Sequence, residues 1–187
     1  ACDVISRLPE RLEVFALAAG SNVGLLAEQV HAFRPRVVAL GRADLETELR
    51  SRIGAGWSGA LLFGPSGVES VAAMEEADIV LNGLVGAIGL RPTWRALSAG
   101  RPVALANKES LVIAGEFLSA EARRSGARLL PVDSEHNALF QALDGHAPAA
   151  VRRLVLTASG GPLRDRDPST LETVTPAEAL RHPTWSM

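Results

Sequence analysis

Cysteine is nearly absent. Cys2 is the only one in 187 residues. No intrachain disulfide can form, and no cysteine cluster is available for a metal. A reducing compartment such as the cytoplasm is compatible with this usage. Long apolar runs are missing too. The longest candidate, Ile79 to Leu90, is interrupted by Asn82 and by Gly83, Gly86 and Gly89, which argues against a membrane span. No signal-peptide pattern is read. Basic charge is not in excess: the formal net charge is −2, so nothing points to a nucleic-acid surface. Lysine is the scarcest charged residue. Of 19 Lys and Arg residues only Lys108 is a lysine. A compact, strongly hydrated ammonium differs chemically from a guanidinium, so this position suggests a chemical requirement. One leftover surface lysine is the alternative.

What remains is ordinary for a globular chain, with 47% hydrophobic and 21% charged residues, enough for one domain or one and a part. The chain begins with Ala1 and stops at Trp185-Ser186-Met187 without a polar tail. We therefore expect a piece of a longer protein.

The apolar pattern alternates strand and helix. Val4, Ile5 and Leu8 mark the end of a helix, broken by Pro9. Strands are expected at Leu12–Ala19, Arg36–Leu40, Ala60–Phe63, Ile79–Asn82, Pro102–Ala106 and Ala127–Val132. Helices are expected at Val23–Phe33, Ala43–Arg50, Val68–Met74, Arg91–Ala99, Ser110–Arg124 and Glu135–Leu143. Asn22 is placed to cap the first of these, Gly100 and Gly126 to end theirs, and Gly115 to soften the longest. Short connections in this order imply an α/β fold: a Rossmann-like, doubly wound parallel sheet with helices on both faces. After Asp144 the rhythm changes. A strand over Val151–Thr157, a turn over Ala158–Pro162, a polar irregular stretch and a short helix at Pro176–Leu180 read as the start of an α+β unit. The expected boundary divides residues 1–132 from 133–187.

In a doubly wound sheet ligands bind at the carboxyl ends of the strands. Four turns fall there, on one edge of one sheet: Gly20–Asn22, Gly83–Gly89, Asn107–Glu109 and Asp133–Glu135. Gly20-Ser21-Asn22 can hold a ribose or its phosphate, or simply cap a helix. It lacks the acidic residue that binds the ribose 2′-hydroxyl of NAD, which favours NADP if a dinucleotide binds. Gly83 to Gly89, centred on Gly86, lets backbone approach a ligand closely. Lys108 can hold a substrate oxygen or a phosphate, or pair with Glu109 or Glu135. Asp133 and Glu135 stand two apart with Ser134 between them. If the chain stays extended, both carboxylates share a side and suit a hard cation such as Mg²⁺ or Mn²⁺. If Asp133 or Ser134 caps the next helix, Glu135 occupies its favourable first turn instead. The pattern leaves both open. Ser159-Gly160-Gly161 is either an anion-binding nest or a plain turn. His182-Pro183-Thr184-Trp185 suits a lid over a site, or a core segment whose partners are missing. His31, His136 and His146 are read as structural or solvated.

Taken together, four stretches resemble the 1-deoxy-D-xylulose 5-phosphate reductoisomerase family. They are Ala104-Leu105-Ala106-Asn107-Lys108-Glu109-Ser110-Leu111-Val112, Leu130-Pro131-Val132-Asp133-Ser134-Glu135-His136-Asn137-Ala138-Leu139-Phe140-Gln141, Leu156-Thr157-Ala158-Ser159-Gly160-Gly161-Pro162, and His182-Pro183-Thr184-Trp185-Ser186-Met187. The resemblance runs the length of the chain in register.

It implies an enzyme of non-mevalonate isoprenoid synthesis. Such an enzyme rearranges 1-deoxy-D-xylulose 5-phosphate and reduces the product to 2-C-methyl-D-erythritol 4-phosphate with NADPH and Mg²⁺ or Mn²⁺. By motif match Asp133 and Glu135 are two of three metal carboxylates. Lys108, Ser134, Glu135, Ser159, His182 and Trp185 fall at catalytic or substrate positions, with Trp185 on the covering loop. Gly20, Ser21, Asn22, Gly86, Asn107 and Glu109 fall at cofactor positions. Residues 1–132 become the NADPH-binding domain and 133–187 the beginning of the catalytic, metal-binding domain. The resemblance places the family's first strand and glycine-rich loop before Ala1, and the third carboxylate and a helical domain after Met187. It also implies a homodimer in the complete protein, a bacterial cytoplasmic enzyme or a plastid one in a plant, a small sugar phosphate as partner, and neither nucleic acid nor membrane. The alternatives are another NAD(P)-dependent dehydrogenase and a non-catalytic nucleotide-binding remnant.

Overall fold

The apolar runs of the first two thirds pair as parallel strands. β1 (Ala16–Ala19), β2 (Val37–Leu40) and β3 (Ala60–Phe63) form one three-stranded sheet in that order. β4 (Val80–Asn82), β5 (Val103–Leu105) and β6 (Leu129–Pro131) form a second, again in chain order. Ala19 lies level with Leu40 and Phe63, and Asn82 with Leu105 and Pro131. The carboxyl ends of each sheet are therefore aligned. The single sheet read from the sequence is thus two, because no described strand is hydrogen-bonded to the outer edge of β1 or of β4. The computed structural model describes residues 1–157 and 161–181. The chain divides into two units, Ala1–Asp133 and Ser134–Met187.

Strand lengths follow from their partners. β1 starts at Ala16 rather than Leu12, because β2 cannot begin before the Pro35 break; pairing opens with Arg36 N donating to Phe15 O at 2.8 Å. β2 (Val-Val-Ala-Leu) is buried along its whole length, as expected of a strand covered on both faces.

The helices supply the cover. α1 (Cys2–Arg7) is short and buries no residue. α2 (Val23–Phe33) is capped by Asn22, whose Oδ1 accepts from Leu25 N at 3.1 Å. It lays Val23, Leu26, Ala27 and Val30 against Val38 and Leu40, at the three- and four-residue spacing of one helical face. A turn of 3₁₀ helix at Ala43–Leu45 runs into α3 (Glu46–Ile53), which adds Leu49 and Ile53 to the same core. Each fully buried leucine there contributes about 1.5–3 kcal/mol. His31 is structural: its Nε2 lies 3.0 Å from Ile53 O, tying α2 to the end of α3.

α4 (Gly64–Ala72) starts four residues earlier than its apolar pattern suggested, because Pro65 falls in the first turn, where no amide donor is required. α5 (Leu90–Ser98) and α6 (Glu109–Ser125) build the second core around Ala96, Leu97, Val103, Leu105 and Leu118. α6 is kinked at Ala114 (φ −145°, ψ 34°), beside the expected soft point at Gly115, and ends at Gly126 in the left-handed region (φ 74°).

A buried-side clamp joins α5 to α6. Ser98 Oγ donates to Glu121 Oε1 at 2.5 Å, and Arg124 donates to both Glu121 oxygens at 2.6 and 2.8 Å. Arg124 first, then Ser98, hold the Glu121 carboxyl well below its ordinary value of 4.5, at about 2.

The second unit holds α7 (Ser134–Leu143), 3₁₀ turns at Pro148–Ala150, Gly161–Leu163 and Pro168–Thr173, and α8 (Pro176–Ala179). α8 opens on a capping box between Thr175 and Glu178, and Arg166 Nη1 pairs with Glu178 at 2.8 Å. The strand expected over Val151–Thr157 does not form. Leu154, Val155 and Leu156 are each more than half exposed, and no described residue of this unit offers a strand edge to pair with.

The Glu121 clamp makes stability depend on acid. A carboxylate held below its ordinary value favours the fold while ionised; that contribution is complete above about pH 4.5 and lost as pH falls toward 2. Glu121→Gln is expected to lower the melting temperature at neutral pH, and its gap to the parent chain should close on acidification through that window. Thermal melts across the range check this; a gap constant down to about pH 3 would remove the clamp from the account.

Candidate cofactor and metal site

The loops that follow the parallel strands carry the chemistry. After β1, Gly20 and Ser21 are exposed and Asn22 spends its side chain on the α2 cap. A Cβ at Gly20 would meet nothing within 4 Å, so packing inside this chain does not require glycine there. The space beside it is open to a ligand. At Gly41, after β2, a Cβ would lie 3.2 Å from Gly20 O; the missing side chain there lets the two loops run side by side.

After β4 comes the Gly83–Gly89 loop. Gly86 has φ 79°, a conformation glycine adopts without strain. The loop presents Val85 and Ile88 to solvent, 83% and 64% exposed. After β5, Asn107 is buried, Lys108 exposed and Glu109 half-buried. Lys108 occupies the N-cap position of α6, and among the described residues its ammonium has no ion-pair or hydrogen-bond partner. The structural pairing with Glu109 is therefore not made. The Asn107 carboxamide faces inward. Its Nδ2 donates to Leu84 O at 2.5 Å and Gly86 O at 2.9 Å, and its Oδ1 accepts from Ser110 N at 3.1 Å and from the Ser110 hydroxyl.

After β6 the extended-chain reading of the carboxylate pair is overturned. The strand ends at Pro131 and α7 begins at Ser134. Glu135 therefore lies in the first helical turn, where a negative charge meets the positive end of the helix dipole. Its Oε2 accepts from Ser134 Oγ at 3.0 Å. Alternation along a strand thus does not set the direction of the two carboxylates. Val132 N still bonds Leu105 O at 3.1 Å, holding the approach to Asp133 beside the end of β5.

As donors for a divalent ion, Asp133 and Glu135 supply the hard carboxylate oxygens that Mg²⁺ and Mn²⁺ prefer. Among the described residues no group of three or more His, Cys, Asp or Glu could hold a metal. Ser159, His182 and Trp185 lie outside the described residues.

Sequence reading missed three residues of this region: Asn82, Thr93 and Ser110. All are buried and all bear on the Gly83–Gly89 loop. The available signal was a polar residue closing an apolar strand (Asn82), and a threonine four residues after a glycine, where its hydroxyl can bond back to the carbonyl.

The profile of 1-deoxy-D-xylulose 5-phosphate reductoisomerase matches residues 1–115, and that of the same enzyme's C-terminal domain matches residues 129–187. The chain belongs to the 1-deoxy-D-xylulose 5-phosphate reductoisomerase family. The reductoisomerase of Oleidesulfovibrio alaskensis is 50% identical over 98% of this chain and 45% of its own length. That of Anaeromyxobacter dehalogenans is 50% identical over 100% and 47%. Among solved structures, the Zymomonas mobilis reductoisomerase in complex with NADPH superimposes with a TM-score of 0.84 at 40% identity, covering 97% of this chain and 48% of that one. A reductoisomerase complex with NADPH, fosmidomycin and magnesium gives 0.79 at 35%, covering 98% and 48%. The chain thus spans just under half the length of these reductoisomerases. The fold they share with it is the Rossmann-like α/β one, and the alternatives, another NAD(P)-dependent dehydrogenase or a non-catalytic nucleotide-binding remnant, are not favoured.

Within this chain, Gly89 is the tightest point of the loop. A Cβ there would fall 2.6–2.9 Å from the Asn107 carboxamide. Gly89→Ala must displace a buried, fully bonded side chain, and is expected to cost about 1–3 kcal/mol of stability. Urea unfolding checks this; a variant as stable as the parent would show that the Asn107 side chain can move aside freely.

Proposed function

We propose that this chain is the cofactor-binding half, and the opening of the catalytic half, of an enzyme that converts 1-deoxy-D-xylulose 5-phosphate to 2-C-methyl-D-erythritol 4-phosphate with NADPH. The supporting observation is the alignment of parallel strands, which delivers Gly83–Gly89, Asn107–Glu109 and Asp133 from the level carboxyl ends of β4, β5 and β6, in a chain about half identical to reductoisomerases. Residues 1–132 form the NADPH domain and 133–187 begin the catalytic one. The unpaired edges of β1 and β4 have the form expected if a further parallel strand belongs between them. The doubly wound order 3-2-1-4-5-6 has its first strand at that position.

The roles divide by chemistry. Gly20, Ser21 and Asn22 serve the adenosine-phosphate side of NADPH, where no acidic residue opposes a 2′-phosphate. Gly86, Asn107 and Glu109 serve the nicotinamide side. Asp133 and Glu135 hold Mg²⁺ or Mn²⁺ together with a carboxylate from outside this chain. When bound, that ion supplies Lewis-acid polarisation of the substrate's ketone and offsets negative charge developing on its oxygens. Lys108, with its charge unspent, holds a substrate oxygen beside the metal ligands. Ser134, Ser159 and His182 bind substrate, and Trp185 belongs to the loop that covers it. The complete enzyme is a homodimer in the cytoplasm. No helix among the described residues is long and apolar enough to cross a membrane.

Two outcomes follow. The 187-residue chain alone should bind Mg²⁺ or Mn²⁺ weakly and oxidise no NADPH on 1-deoxy-D-xylulose 5-phosphate, because its donor set is partial. Calorimetry and a cofactor-oxidation assay check this, and turnover by the isolated chain would overturn it. In the full-length protein, metal-dependent oxidation is expected. There Lys108→Arg, which keeps the charge but not the compact ammonium, should lower kcat/KM about a hundredfold. An unchanged kcat/KM would return Lys108 to the status of a surface residue.

A further inference from the structure

Four neutral side chains, from β4, α5, the β5–α6 connection and α6, form one network on the loop between β4 and α5. Asn82, at the end of β4, donates through Nδ2 to Gly89 O at 2.8 Å and to Thr93 Oγ1 at 2.7 Å, and its Oδ1 accepts from Leu84 N at 3.1 Å. Thr93, on α5, donates its hydroxyl to Gly89 O at 2.8 Å. Asn107 binds Leu84 O and Gly86 O, and Ser110, in the first turn of α6, binds Asn107 through both backbone and hydroxyl. All four are at most 4% exposed. Among the described residues no buried side-chain nitrogen or oxygen lacks a partner.

The last three residues of the loop, Ala87–Gly89, make a 3₁₀ turn that runs into α5, with Leu90 N donating to Ala87 O and Gly89 N donating to Gly86 O at 3.3 Å. The stretch before that turn is held by side chains that take up the carbonyls of Leu84 and Gly86 and the amide of Leu84, and the end of the turn by those that bind Gly89 O. Water cannot replace them, because the groups are buried, and losing one partner exposes the others to an unmet hydrogen bond. A loop held in one conformation before a ligand arrives avoids the entropy cost of ordering on binding.

We infer that Asn82 and Thr93 directly, and Ser110 through Asn107, are positioning residues that pre-organise the Gly83–Gly89 loop for the dinucleotide. This rests on the NADPH reading above. None of the four touches the cofactor's reacting atoms through this network; they act by fixing where Val85, Gly86 and Ile88 stand. Asn107 thereby contributes to cofactor binding from behind the loop. Because every member is an amide or a hydroxyl, the effect is independent of pH between the extremes of the carboxylate and lysine ranges.

The test uses the full-length protein, with NADPH as the probe. Thr93→Val removes the hydroxyl and keeps the branched shape. The dissociation constant for NADPH is expected to rise about tenfold, the effect falling on KM for NADPH rather than on kcat. Hydrogen exchange should quicken at Leu84 and Gly89 and not elsewhere in the sheet. Thr93→Ser, which restores the hydroxyl, should return both readouts to within about twofold of the parent. Faster exchange at Leu84 with unchanged NADPH affinity would overturn the proposal, and so would unchanged exchange. Should Thr93→Val not fold, Ser110→Ala tests the opposite end of the network by the same two readouts. If the unsubstituted protein binds no NADPH while its loop amides stay protected, the cofactor reading falls and takes this role with it, although the network itself stands. That result is distinct from failure of the variants.

Discussion

The carboxamide of Asn107 is where the first unit's architecture becomes a site. An amide side chain has two donors and a two-lone-pair acceptor, and here each is spent inside the protein: on Leu84 O, on Gly86 O and on Ser110. The residue stands just beyond β5, the middle strand of its sheet, with β4 and β6 on either side. One buried side chain therefore ties the loop after β4 to the start of α6. Gly89 is glycine because that amide occupies the space a Cβ would need. Asn82 and Thr93 complete the arrangement from behind, and the geometry works only because all polar groups in it are paired. Low dielectric strengthens such a network when it is complete and penalises it when one member is missing.

Charge is distributed in a complementary way. Several arginines are paired on the surface: Arg7 with Asp3, Arg50 with Glu46, Arg52 with Glu48, Arg91 with Glu69 and Arg124 with Glu121. Exposed pairs of this kind contribute a few tenths of a kcal/mol each, roughly. Glu121 differs because its side chain is only 12% exposed and is shared by two helices. Lys108 differs in the opposite sense. It lies at the head of α6, close in sequence to the buried Asn107, and its charge is not neutralised by any described residue.

The carboxylates after β6 take their setting from the start of a helix. Glu135 in the first turn of α7 is favoured by the helix dipole whether or not a metal is present. β6 ends at Pro131 and α7 begins at Ser134, so the start of a helix, and not alternation along a strand, sets where the Glu135 carboxylate stands.

Local chemistry is what the amino-acid order determined by itself. Asn22 caps α2, Gly126 ends α6 in a left-handed conformation, and the apolar runs at Val37–Leu40 and Ala60–Phe63 are strands, because each depends on neighbours a few residues away. The long motifs around Lys108 and Asp133 were legible for the same reason, and they carried the family resemblance. Features that need a distant partner were left to the tertiary structure. Val151–Thr157 has a strand's composition and no strand edge to pair with among the described residues of its own unit. The sheet read as one is two, because strand order is a property of the assembled fold. The start of α7 turned Asp133-Ser134-Glu135 away from an extended geometry. Asn82, Thr93 and Ser110 could not be chosen over other polar residues until packing brought them to one loop. A hydrogen bond across elements is specified by where helices and strands come to rest, and spacing along the chain does not encode it.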